Sequence, residues 1–97
     1  MYLEIVSPEA TLFNSKVESV AVPGANGEFQ MLNNHAPIVS TLVAGTIKIR
    51  IHTESHLDYD QLHPEVKPHM VDNKVLLINI KSGTLEMKDN KAIILAD

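Results

Sequence analysis

The sequence predicts an all-β fold, and three observations carry that prediction. Ile47, Ile49 and Ile51 alternate with Lys48, Arg50 and His52, which sets three β-branched side chains on one face of a strand and three solvated ones on the other. Short apolar runs recur along the chain, separated by Ser7-Pro8, Asn14-Ser15, Ala44-Gly45, Ser82-Gly83 and Asp89-Asn90, each a candidate reversal. No window carries a helical apolar stripe. Many short strands at this spacing point to a sandwich or a barrel.

The elements follow in order. Strands are expected at Tyr2 to Val6, at Leu12-Phe13, and at Val17 to Val22. The stretch Val22-Pro23-Gly24-Ala25-Asn26-Gly27-Glu28-Phe29 reads as a turn running into the next strand, Glu28 to Leu32. Its Pro-Gly and Asn-Gly pairs favour tight reversals, because Pro presets its own φ and Gly or Asn accepts positive φ. Further strands are expected at Ile38 to Leu42, around Ile47 to Ile51, and at Val75 to Ile80, Thr84 to Lys88 and Lys91 to Ala96. The segment Thr53 to Asn73 is rich in His, Asp and Glu and is broken by Pro64 and Pro68, so it reads as an irregular excursion with room for one short extra strand. Within Val75 to Ile80 and Ala92 to Ala96, apolar residues fall on both faces, which a strand covered on one side does not need. Either the excursion or barrel closure covers the second face, or a partner does.

The chain has 97 residues, enough for one domain, 1–97, and too few for two. It contains no cysteine, which removes disulfides, thiolate chemistry and cysteine zinc sites. The formal charge of −4 and the lack of a Lys/Arg stripe argue against nucleic acid as a partner. Met1-Tyr2-Leu3-Glu4 has no signal-peptide pattern, and no segment approaches membrane-spanning length, so a soluble, intracellular chain without a helical appendage is expected.

Candidate chemistry is sparse. His52, His56, His63 and His69 lie in the excursion beside Glu54, Asp58, Asp60 and Glu65, residue types that ligate borderline metals. The prolines leave them without a preorganising framework, so solvated loop histidines are the expectation, with no metal and no cofactor. None of Ser7, Ser15, Ser19, Ser40, Ser55 and Ser82 sits in a strand-to-helix nucleophile elbow, and no phosphate-cradling glycine run exists. Asp58 and Asp60 would share a face if extended, yet nothing builds a pocket around them. The chain is not expected to be an enzyme. Glu28 is the acid that stands out, either as an edge charge that discourages sheet-to-sheet association or as a polar contact on a protruding loop.

Several elements resemble, in the same order, the N-terminal sandwich of the ε subunit of F-type ATP synthase, called δ in mitochondria. They are Leu3-Glu4-Ile5-Val6-Ser7-Pro8-Glu9, Leu12-Phe13-Asn14-Ser15-Lys16-Val17, Val20 to Glu28, His35-Ala36-Pro37-Ile38-Val39, Ala44-Gly45-Thr46-Ile47-Lys48-Ile49, Ser82-Gly83-Thr84-Leu85-Glu86, and Asn90 to Asp97. The resemblance implies a ten-stranded sandwich of two sheets. It also implies a non-catalytic rotor subunit that bridges the γ subunit and the loops of the membrane c-ring and couples proton-driven rotation to ATP synthesis. Such a chain would lie peripherally on the cytoplasmic face of a bacterial inner membrane.

By the same resemblance, Asn26, Gly27, Glu28 and Phe29 with His35 face the ring, and Ser7, Val39, Thr46, Ser82 and Ile94 face γ. Ile94→Arg is then expected to abolish γ binding and leave the fold intact. The chain departs from the family at Gln30 and Asn33-Asn34, where Gly and Pro-Gly are usual, although Asn also accepts the left-handed conformation. Its excursion is longer than usual. The C-terminal helical hairpin of many relatives is missing, so inhibition of hydrolysis is not carried over. The competing reading is a free-standing β-sandwich binding module that uses the His-rich excursion for a metal or small ligand.

Overall fold

The computed structural model describes residues 1–51, 66–68 and 74–97, and among the described residues there are ten strands and no helix. They are β1 (Tyr2–Val6), β2 (Thr11–Lys16), β3 (Ser19–Gly24), β4 (Gly27–Leu32), β5 (Ile38–Leu42), β6 (Gly45–Arg50), β7 (Val66–Pro68), β8 (Val75–Ile80), β9 (Gly83–Lys88) and β10 (Lys91–Ala96). One hydrogen-bonded path runs β2-β1-β10-β9-β5-β3-β6-β8-β7, with β4 added beside β3. It curls into two leaves of five strands, β2-β1-β10-β9-β5 and β4-β3-β6-β8-β7. They share a single bridge, Gly24 with Leu42. The ten-stranded sandwich is therefore present, as one sheet folded over at a corner.

Alternation builds the interior. From the first leaf Leu3, Ile5, Leu85, Met87, Ala92 and Ile94 point inward, and from the second Val20, Val22, Met31, Ile47, Ile49, Leu76 and Ile78 meet them; all are buried in one cluster. Burying each Val, Leu, Ile or Met side chain among them contributes about 1.5–3 kcal/mol. The β-branched alternation read at Ile47, Ile49 and Ile51 is thus the core face of β6 and of the residue that follows it.

Two turn assignments change. Pro23-Gly24 is not a reversal but the end of β3, opposite Glu28 and Gly27. β3 pairs β6 only over Ser19 to Ala21, so at Pro23 the missing N–H costs no ladder bond, while its carbonyl accepts from Val43 N at 2.9 Å. Gly24 has no room for a side chain, since an added Cβ would lie 2.7 Å from the Phe29 ring. Asn14-Ser15 likewise lies inside β2, where Asn14 pairs with Glu4 and Ser15 with Leu3. By contrast Asp89 and Asn90, with φ of 52° and 61°, form the two-residue turn expected there. Asn34, with φ of 63°, adopts the left-handed conformation that keeps the β4–β5 connection tight. The extra strand of the excursion is β7, which pairs with β8 at the sheet edge.

Candidate functional site

Three surfaces collect the residues of interest. The first is the β3–β4 hairpin. Ala25 and Asn26 form its exposed loop with negative φ, and Gly27 follows at φ 120°, so the positive-φ position falls on the glycine after the turn. From there the strand alternates: Phe29 turns inward over Gly24, and Glu28 turns outward. The Glu28 carboxylate meets Lys48 Nζ at 3.1 Å, both side chains being about half exposed. Lys48 is the partner that sequence reasoning missed, because the alternation of β6 marked it only as solvated.

His35 does not join this loop. It follows the far end of β4, which pairs Leu32 with Ser19 while the hairpin end pairs Gly27 with Gly24. The strand separates the two by roughly 17 Å at ~3.3 Å per residue. There His35 N donates to the Leu32 carbonyl at 3.1 Å and its Nδ1 lies 2.7 Å from the Ala36 carbonyl. Next to it, Asn90 accepts from Asn34 N at 2.7 Å and donates to Asn33 Oδ1 at 3.0 Å, tying the β4–β5 connection to the β9–β10 turn. The residues read as one tip are therefore the two ends of an edge strand.

The second surface is a cleft at one end of the sandwich, lined by Ser7, Pro8, Ala10, Asn79, Ala96 and Asp97 among others. Ser7 Oγ is held by the Ala10 backbone at 3.2 Å. Thr46 Oγ1 donates to Asn79 Oδ1 at 2.7 Å, and Ser82 donates to the Asp97 carboxylate. Ser7 lines this cleft and Ser82 reaches its edge through Asp97, whereas Thr46, though bonded to Asn79, lines the outer face of the second leaf with Lys48 and Arg50. Val39 is at neither place: it lines a separate cleft with Asn26, Gly27, Glu28 and Phe29.

The third surface is the outer face of the first leaf. Ile94 does not lie on it. β1 and β10 run parallel with Ile5 opposite Ile94, and both are fully buried, so the Ile94 side chain belongs to the core. Its neighbours Ile93 and Leu95 face outward instead. Pairing across the strands sets Glu4, Ile93, Glu86 and Val39 in one row and Val6, Leu95, Thr84 and Thr41 in the next. Leu95 is 55% and Val39 77% exposed. The second face of β8 differs, because Val75 is buried and Leu77 half-buried.

Among the described residues no group of three or more His, Asp or Glu side chains is disposed to hold a metal ion. His52, His56, His63 and His69 and their neighbouring acids, on which the binding-module reading rests, lie outside the described residues.

Residues 1–59 match the family described as ATP synthase, Delta/Epsilon chain, beta-sandwich domain. The whole chain is 35% identical to an ATP synthase epsilon chain of Campylobacter concisus over 97 residues, and covers 60% of that relative. It is 34% identical over 95 residues to the epsilon chain of Leptospira borgpetersenii, covering 98% of this chain and 59% of the relative. The chain thus spans about three-fifths of the length of these relatives. The fold is shared with a chain of the Euglena gracilis mitochondrial ATP synthase, TM-score 0.71 at 16% identity, over 97% of this chain and 48% of that one. It is also shared with a chain from the central stalk and c-ring of the Tetrahymena thermophila enzyme, TM-score 0.67 at 14% identity, over 98% and 61%.

Proposed function

Since the chain belongs to the delta/epsilon β-sandwich family of ATP synthase, we propose that it is a non-catalytic subunit of the rotor's central stalk, joining γ to the c-ring loops at the cytoplasmic face of a bacterial membrane. A coupling element must carry torque between two partners without yielding. Close packing in a single folded-over sheet supplies the stiffness. The observation that carries the γ side is the apolar patch of exposed Leu95 with half-buried Val6 and Ile93 on the first leaf, whose opposite face is the core. The end cleft with Ser7 and Asp97, to which Ser82 donates, flanks that surface as a polar rim.

On the ring side, Glu28 and His35 act together only if the β4 edge lies along the ring, because they stand at its two ends. Glu28 then exchanges its Lys48 contact for a basic group of the ring loops. The test is size exclusion of the chain with a γ subunit from the same source, in the presence of a chelator. Co-elution that is lost in Leu95→Arg supports the assignment. Failure of the unmodified chain to co-elute with a folded γ overturns it.

A further inference from the structure

One level beyond the apolar patch, the same face carries a row that the reading above does not use. Lys16, Tyr2, Lys91 and Lys88 stand side by side across β2, β1, β10 and β9. The three lysines are exposed, in a chain whose formal charge is −4. At ~4.8 Å between strands the row is about 14 Å long. Lys91 Nζ sits 5.6 Å from the centre of the Tyr2 ring, and the Tyr2 hydroxyl donates to Asn14 Oδ1, which holds the ring in the row. None of the three ammonium groups is paired with a carboxylate among the described residues. The next row, about 7 Å along the strands, carries Glu4 and Glu86 on either side of Ile93, and these acids are likewise without ion pairs among the described residues. The face is therefore banded: cations first, then acids around an apolar centre, then Val6 and Leu95.

We infer that this banding sets the polarity of the γ segment seated on the first leaf, with acidic side chains of γ lying over Lys16, Lys91 and Lys88. The inference rests on the assignment of γ to this face. Unpaired charges of opposite sign, one level apart on one face of a sheet, fix register more than they add affinity, because a partner shifted by one level meets like charges. An anionic bilayer fits less well. It presents one sign over a broad plane and would meet Glu4 and Glu86 together with the lysines, whereas a protein segment presents a different side chain at each level.

The experiment measures γ affinity at low and high salt for the unmodified chain, for Lys16→Glu, Lys88→Glu and Lys91→Glu, and for Leu95→Arg, with circular dichroism to establish that each variant is folded. Each charge reversal is expected to weaken γ binding about three- to tenfold at low salt, the difference shrinking at high salt. Reversals that bind like the unmodified chain, while Leu95→Arg fails to bind, overturn the banding and leave the γ assignment standing. Binding of γ that is insensitive to Leu95→Arg as well overturns the face itself. A parallel sedimentation with phosphatidylglycerol vesicles separates the lipid alternative: capture that the reversals abolish, with γ affinity unchanged, overturns the inference in favour of the bilayer.

Discussion

The two leaves share an interior and differ on their outer faces. On the second leaf, polar side chains answer one another: Glu28 with Lys48, Thr46 with Asn79, and Gln30 Nε2 donating to Ser19 Oγ at 3.3 Å, with Leu32 exposed at the end of its edge strand β4. On the first leaf Glu4, Glu86, Lys16 and Lys88 have no ion pair among the described residues, and Val39 and Leu95 are exposed beside them. Inward alternation is the same in both, so it fixes the fold without distinguishing the leaves. The outer rows distinguish them. A face whose groups satisfy one another gains little from being covered, whereas exposed apolar area and unpaired charge are stabilised by a partner of the right pattern.

The largest effect that would break this comparison is at adjacent positions of β10. Ile94→Arg places a charge in the shared core and is expected to remove more than about 4 kcal/mol, enough to unfold a domain of this size. Leu95→Arg, one residue on and outward, is expected to leave denaturant unfolding within about 0.5 kcal/mol of the unmodified chain. Equal stability of the two variants would mean that the inner and outer faces are misassigned. This replaces the expectation that Ile94→Arg spares the fold.

A middle-sized effect tests how closely β9 and β10 approach beneath the open face. At Gly83 an added Cβ would lie 2.6 Å from the Leu95 carbonyl oxygen, a backbone atom with little room to yield. Gly83→Ala is expected to cost about 1–3 kcal/mol in chemical denaturation. A cost near zero would show that the β9–β10 ladder tolerates displacement. The smallest effect sharpens the contrast from the other leaf. Because the Glu28–Lys48 pair is half exposed, Glu28→Gln is expected to change stability by no more than about 0.5 kcal/mol. Its weakening of ring assembly would be the larger change, falling with added salt. A stability loss several times greater would make Glu28 a structural residue of the β3–β6 region.

Much of the fold was legible because its signals are local. Strands at Tyr2 to Val6, Ile38 to Leu42, Val75 to Ile80 and Lys91 to Ala96 are found where period and propensity put them, and the Asp89-Asn90 turn has the left-handed pair its residues favour. Pro23-Gly24 misled because the same two residue types serve a corner, where the strand tolerates a missing N–H and has no room for a side chain, as well as a turn. The expected sites divided for a different reason. Glu28 and His35 are seven positions apart in sequence, but a straight strand of known rise carries them to opposite ends of an edge. Val39 belongs with the hairpin because β3 and β5 meet at the corner, a contact that no local pattern announces.

The order of apolar runs and turn residues was enough to determine an all-β chain, the approximate place of its strands, and the family to which it belongs. Period two says that alternate residues share a face, and where both sets are apolar, as in β10, it cannot say which set is inside. That choice was made by tertiary structure. The parallel pairing of Ile5 with Ile94 couples residues far apart in sequence, turns Ile94 into the core, and leaves Ile93 and Leu95 on the outer face.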